Sequence, residues 1–380
     1  MMNSLTTFLL ATILALASAP APQSQKKSQP EEKTECGTVI SPEQIKAELA
    51  RKAESARNKS AALALAPNTN APIYLPLTIH MVCDSFGVGG FNSPGELERT
   101  IEVLNQMWQP VGIQFFIYGQ IDFSIHDDTF YYLANDDAKQ DALRRINSVP
   151  NTINVYFTNL NGITGQARFT HENAQGILLD YTTMSEYYGG IWKLDVFAHE
   201  IGHYFDLYHT HEDDFGSECP SGSNCDTTGD LLCDTPADPR LNQGFVDVTN
   251  CTYNNMAATP ADCAGAYNPS VRNLMSYAPG HCRNEFTPGQ ISKVWQVLTS
   301  NSKRKGLMDS YKFYVDPVAS SSNAKCTAAA PCRTVAKAVQ AAQDGAVIYL
   351  RARVHRAPYL GGKRFTVRRW GDAGIVTIKP

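Results

Sequence analysis

Residues 199–209 read His-Glu-Ile-Gly-His-Tyr-Phe-Asp-Leu-Tyr-His, and the arrangement this string demands decides the fold. On a helix His199 and His203 lie four apart, so both imidazoles leave one face a turn from each other. Glu200 projects beside them. If the helix ends soon after Phe205 and the chain turns sharply, His209 supplies a third nitrogen. Three neutral imidazoles with a fourth position left to water make an open catalytic zinc site, although the spacing admits other divalent ions. An adjacent carboxylate can take a proton from that water as it attacks a carbonyl. A bare His-Glu-x-x-His recurs by chance in unrelated helices; the third histidine at a fixed offset makes the pattern specific.

A second landmark lies downstream, where residues 273–277 read Asn-Leu-Met-Ser-Tyr. Together the two stretches resemble the metzincin metallopeptidases, whose motif is His-Glu-x-x-His-x-x-Gly-x-x-His followed by a methionine-containing turn. Cys233-Asp234-Thr235-Pro236 and Phe286-Thr287-Pro288-Gly289-Gln290 are similar to the pappalysin branch, and the resemblance covers roughly residues 36–302. It implies an α+β, two-lobed catalytic domain: a mixed twisted sheet with the active-site helix, then an irregular, disulfide-bonded lobe. It implies a zinc endopeptidase acting on protein or peptide substrates, with His199, His203 and His209 as ligands and Glu200 as general base. Met275 becomes the hydrophobic floor, and Tyr277 a hydroxyl that reaches the metal or steadies the oxyanion. Without the resemblance both would read as core residues. The motif's glycine is Asp206 here. Glycine suits a left-handed exit from a helix, and aspartate tolerates that region at a cost of about 1 kcal/mol. An inactive relative is the alternative that Asp206 raises.

The ten cysteines, an even number, suit an oxidising compartment. Cys36-Gly37-Thr38 is similar to the switch of pappalysin-like zymogens, in which a thiolate holds the open zinc position until the propeptide is cut away. The resemblance implies crossed disulfides Cys233–Cys263 and Cys251–Cys282. Cys219–Cys225 and Cys326–Cys332 are candidate local pairs. That leaves Cys36 and Cys83, whose disulfide is the alternative to the switch, since connectivity does not follow from sequence. Asp213, Asp214, Glu218, Asp226, Asp230 and Asp234 crowd one loop at a density that suits calcium, which pappalysin-like enzymes use for stability. His211 competes with His209 for the third position, but spacing favours His209. His171 reads as a surface histidine. A gluzincin arrangement is disfavoured, because Glu212 and Asp213 follow the helix too closely.

The 380 residues divide by composition. Phe8–Ala17 is an apolar run of signal-peptide length followed by Ala17-Ser18-Ala19, so residues 1–19 are read as a signal peptide and the protein as secreted. No other stretch could span a membrane. Residues 20–71 form a propeptide and linker, with Ser41, Pro42 and Glu43 opening a helix. The catalytic domain takes 72–305. Alternating apolar residues predict a strand over Ile73–Asp84, and others over Ile113–Tyr118, Ile153–Phe157 and Ile177–Asp180. Helices are predicted from Ser93-Pro94, near Ala138–Ile146, over Trp192–Phe205 and from Thr287-Pro288. Residues 311–380 resemble the opening turn of right-handed parallel β-helices, with strands at Val347–Leu350, Arg364–Arg368 and Ile375–Ile378. This segment carries twelve Lys/Arg against three Asp/Glu, a balance of +9 within a net charge of −4. It could contact anionic surfaces, and a glycan-binding protein working through it is the rival from another class. Nucleic-acid chemistry has no motif here.

Overall fold

The strand predicted over Ile73–Asp84 forms over Ile73–Cys83 and is buried on both faces instead of alternating. It is a central strand of a mostly parallel sheet, covered on both sides. Its polar members are matched inside. Thr78 donates to Thr152 at 2.9 Å, and the His80 ring lies between Asp122 at 2.9 Å and Asn154 at 3.1 Å. A computed structural model describes residues 34–57 and 72–380, apart from 92, 134–135, 189–190, 243, 255, 310, 321–325, 343–345 and 372–373. The expected signal peptide and linker fall outside the described residues.

The elements in chain order are β1 (Thr34–Cys36), α1 (Pro42–Arg57), β2 (Ile73–Cys83), α2 (Pro94–Trp108), β3 (Ile113–Ile117), β4 (Asp122–His126) and β5 (Tyr132–Leu133). Then come β6 (Ile153–Leu160), β7 (Ile163–Ala167), β8 (Ile177–Asp180), α3 (Val196–Tyr204) and α4 (Pro288–Ser300). The eight-stranded sheet runs β1-β7-β8-β6-β2-β3, with β4 beside β2 and β5 beside β6. β7 is antiparallel to β8, and β1 lies parallel to β7 at the edge. The helix expected near Ala138–Ile146 spans Asp137–Leu143. The active-site helix starts at Val196 rather than Trp192, because Ile191–Trp192 pairs with Tyr187–Tyr188 in a two-stranded ribbon.

Helix α2 begins where Ser93 accepts from Glu96 N, with Pro94 in its first turn, and buries Leu97, Val103, Leu104 and Trp108. The Trp108 indole N–H donates to Ala198 O at 3.2 Å, fastening α2 to α3. Helix α4 opens on a full capping box, Thr287 with Gln290. Asp234 accepts from Thr287 Oγ1 and Gly289 N there, so this acid of the loop serves as a helix-end anchor.

Between α3 and α4 there is little regular structure, and three disulfides hold it: Cys219–Cys263, Cys225–Cys233 and Cys251–Cys282. Only the last agrees with expectation here. The implied Cys233–Cys263 bond and the local Cys219–Cys225 pair do not form. Asn224 Oδ1 accepts from Cys219 N at 2.8 Å, and Gly222 N donates to Cys219 O at 2.7 Å. Cys225 instead comes within a Cα distance of 4.9 Å of Cys233 across the Asp226–Leu232 loop. The segment around Gly265 packs on Pro220 and Ser221, which brings Cys263 to 5.2 Å from Cys219. Cys326–Cys332 forms as expected. Cys36 and Cys83 are free thiols, so their mutual disulfide is excluded.

In the C-terminal segment Lys312–Val315, Val347–Arg351 and Thr366–Trp370 form a parallel three-stranded sheet, and Val354–Arg356 pairs in parallel with Thr377–Lys379. The last two expected strands thus each begin two residues later than expected. The column Val315–Leu350–Arg369 ends in a charge, a common way of blunting a sheet edge. Among the described residues no helix is long and apolar enough to cross a membrane.

Candidate active site

Every residue of α3 is buried, Glu200 included. The Arg283 guanidinium fixes its start, pairing with Asp195 at 2.6 Å while donating to Ser276 O at 2.6 Å. One side chain therefore joins the helix to the methionine turn. The helix ends in a Schellman arrangement: Asp206 N donates to His203 O at 2.9 Å and Leu207 N to Gly202 O at 3.0 Å. Asp206 takes the left-handed conformation expected of it, with φ of 61°. The chain then reverses and His209 arrives beside the other two histidines.

His199 Nδ1 lies 2.6 Å from Leu274 O, and His203 Nδ1 lies 2.7 Å from Leu207 O. A carbonyl can only accept, so both Nδ1 atoms carry the proton and both Nε2 atoms present lone pairs. Those atoms are 3.1 Å apart, and His203 Nε2 is 3.0 Å from His209 Nε2. Burial, the largest cause, and the neighbouring rings push His199 and His203 well below the usual imidazole range, and burial holds His209 at about 3. The His199 and His203 lone pairs have no hydrogen to share between them, and with the neutral His209 Nε2 beside them a cation can satisfy all three. The donor set therefore fits a divalent metal, and the carbonyl partners are the outer contacts that orient histidine ligands.

Glu200 is fully buried; its Oε2 accepts from Thr38 Oγ1 at 3.2 Å. Burial pushes its carboxyl up to about 7, against lowering contacts from Cys36, Thr38 and the Ala167 backbone. Gly165 on β7 makes room for it: a Cβ there would sit 2.7 Å from Glu200 Cγ. Gly202, between the two helical histidines, does the same for Met275, whose Sδ would be 2.4 Å from a Cβ. Met275 is fully buried under the site, and Asn273, which exchanges two side-chain hydrogen bonds with Gln290 of α4, accepts from the Met275 amide at 2.9 Å. Tyr277 packs its ring 4.9 Å from that of His209, and its hydroxyl donates to Cys36 O at 3.3 Å.

β1 lies over this centre. The Cys36 Sγ falls within 4.8 Å of donor nitrogens of all three histidines. Gly37 N donates to Gly165 O at 2.8 Å, and Thr38 Oγ1 accepts from Ala167 N at 3.0 Å. His211 is apart from the trio, stacked on His209 and against Tyr277. His171 sits beside Phe169, away from the site. Glu212, Asp213 and Asp214 form a separate, more exposed acidic group. Deeper in the loop, Asp230 Oδ2 and Glu218 Oε2 are buried without hydrogen-bond partners among the described residues. Burial pushes Asp230 well above the carboxylate range and Glu218 up to about 7.

The sheet, the buried helix and the methionine turn define a metzincin metallopeptidase fold. Residues 151–299 match the peptidase family model described as pregnancy-associated plasma protein-A, in line with the pappalysin-like resemblance of the motifs. An "Extracellular metalloprotease" from Arthroderma benhamiae is 27% identical over 283 residues, covering 69% of this chain and 87% of the relative. One from Pyricularia oryzae is 26% identical over 226 residues, covering 57% and 71%. In fold, the chain is similar to a Tannerella forsythia promirolysin mutant, with a TM-score of 0.52 at 18% identity over 72% of this chain and 97% of that one.

Proposed function

We propose that this metallopeptidase is a secreted zinc endopeptidase made as a latent precursor. The observation that carries the reading is the convergence of three neutral Nε2 atoms beside a buried glutamate. His199, His203 and His209 would hold the ion. When bound, zinc acidifies water toward a pKa of about 7 and polarises the scissile carbonyl. Glu200 takes the proton from the attacking water as its oxygen bonds to the carbonyl carbon. It then delivers that proton to the nitrogen as the C–N bond breaks, so the base must begin ionised. The Tyr277 hydroxyl, now spent on Cys36 O, becomes free to donate to the developing oxyanion. β7 offers substrate the backbone groups that Gly37 and Thr38 occupy in the precursor.

Latency has a matching support. Cys36 reaches the metal position, Thr38 occupies Glu200, and Cys36 O occupies Tyr277. One segment therefore engages every group the reaction needs. A further element of the proposal is a calcium ion at Asp230 and Glu218, whose unpartnered buried oxygens suit a hard cation. The basic segment 311–380 is proposed to contact anionic surfaces.

The test is cleavage of a quenched-fluorescent peptide library after removal of the residues before 72, alongside Glu200→Ala. Activity that a chelator abolishes and zinc restores, reduced by about 10²-fold or more in the variant, is expected. Equal activity in both would refute Glu200 as base. A Cys36→Ser precursor should lose latency; one that stays latent would refute the switch.

A further inference from the structure

The turn that delivers His209 carries Asp206 where the family motif has glycine, and the side chain is engaged. Its Oδ1 accepts from Thr170 N at 2.8 Å, and its Oδ2 accepts from Thr170 Oγ1 at 2.6 Å. Thr170 lies just beyond the end of β7, the strand that carries β1. The same junction is fastened from beneath by Arg304, which donates to Tyr204 O at 2.8 Å and to Arg168 O at 3.2 Å. Two paired hydrogen bonds to a carboxylate are strong and directional. Glycine would adopt φ of 61° without a Cβ penalty, but would leave Thr170 N–H and hydroxyl unmatched and the turn untied.

We infer that Asp206 is a positioning residue for His209: by latching the turn to Thr170 it holds the third imidazole in register with His199 and His203. In this chain a side-chain clamp takes over from glycine's conformational freedom. The inference rests on the metal reading above. It also has a sign opposite to the strain argument, under which glycine at this position would improve the site.

The experiment measures Zn²⁺ affinity of the full chain by chelator competition, with thermal midpoints of the metal-free proteins. The variants are Asp206→Gly, Asp206→Asn, Thr170→Val and the Asp206→Gly/Thr170→Val pair. Asp206→Gly is expected to weaken zinc binding by about 10- to 100-fold, the range for groups that orient a ligand. Asparagine keeps an acceptor for Thr170 N and tolerates the left-handed region, so Asp206→Asn should fall between parent and glycine variant. Thr170→Val should also weaken binding, and adding it to Asp206→Gly should cost little more, because the two residues form one latch. A glycine variant that binds zinc as tightly as the parent overturns the inference. So do lowered metal-free midpoints with unchanged zinc affinity. A parent that binds no zinc overturns the metal reading as well, which separates the two failures.

Discussion

At the scale of single residues, Gly202 shows how the site is built around absent atoms. Alanine there would favour the helix by about 1 kcal/mol. It would also place a Cβ 2.4 Å from Met275 Sδ. Met275 is fully buried, so its thioether has nowhere to retreat without lifting the floor beneath the histidines. Overpacking of this kind costs about 1–3 kcal/mol and wins. Gly202→Ala should therefore lower the thermal midpoint and weaken zinc binding, and a Met275→Ala background should remove most of the penalty. Thermal unfolding of the four proteins checks this; additive losses would refute the contact. Gly202 could have been noticed in the sequence, since a glycine inside a nine-residue helix needs a packing reason. The histidine trio was legible because helical periodicity and a turn fix it. The partners of the rings were not, because Leu274 O and Leu207 O are backbone carbonyls that any residue supplies. Nor did anything local mark Thr38 as the residue that covers Glu200.

At the scale of elements, the sheet strands and the helices α2 and α4 follow from periodicity and end signals that act within a few residues. β1 does not. Three residues carry too little pattern, and the strand exists only because β7 offers an unpaired edge. Helix α1 was anticipated, but not its docking. Ile40 and Ile45 pack among Phe169, Tyr208, Phe215 and Leu231. Lys293 of α4 pairs with Glu48 at 2.8 Å, while Arg51 holds the same carboxylate. Burial alone would push Glu48 up; the Arg51 hydrogen bond and the Lys293 and Arg51 charges outweigh it and hold Glu48 at about 2. A depressed carboxyl stabilises above its unfolded pKa and loses that contribution as pH falls through the folded one. Docking of α1 is thus at full strength above about pH 4.5 and fades toward about 2. Hydrogen-exchange protection over residues 42–57, taken relative to the intrinsic rate at each pH, should fall as pH drops through that window in the parent. In Glu48→Gln it should be lower than in the parent at pH 6 and show a smaller acid step. An unchanged acid step in Glu48→Gln would show that another group governs release.

At the scale of the whole molecule, the region between α3 and α4 depends on cross-links, and its buried acids set how stability responds to pH. A carboxyl raised on folding acts oppositely to Glu48: the folded state keeps a proton that the unfolded chain has released, so stability falls as pH rises between the two values. For Glu218 the window runs from about 4.5 to about 7, and Asp230, also pushed up by burial, adds a fall of the same sign. In chelator the parent's midpoint should therefore fall more, or rise less, from pH 5 to pH 8 than that of Glu218→Gln, because the opposite contribution of the buried histidines, whose pKa values are lowered on folding, is common to both. A calcium ion between these carboxylates would favour their ionised forms and reverse the trend, since a ligand of the folded state adds stability with its concentration. Millimolar calcium should raise the midpoint more at pH 8 than at pH 5. Asp230→Asn removes one buried charge, so it should melt higher than the parent in chelator at pH 8 and respond little to calcium. A variant that still gains the parent's full calcium increment would place the ion elsewhere, with Glu212, Asp213 and Asp214 the next group to test.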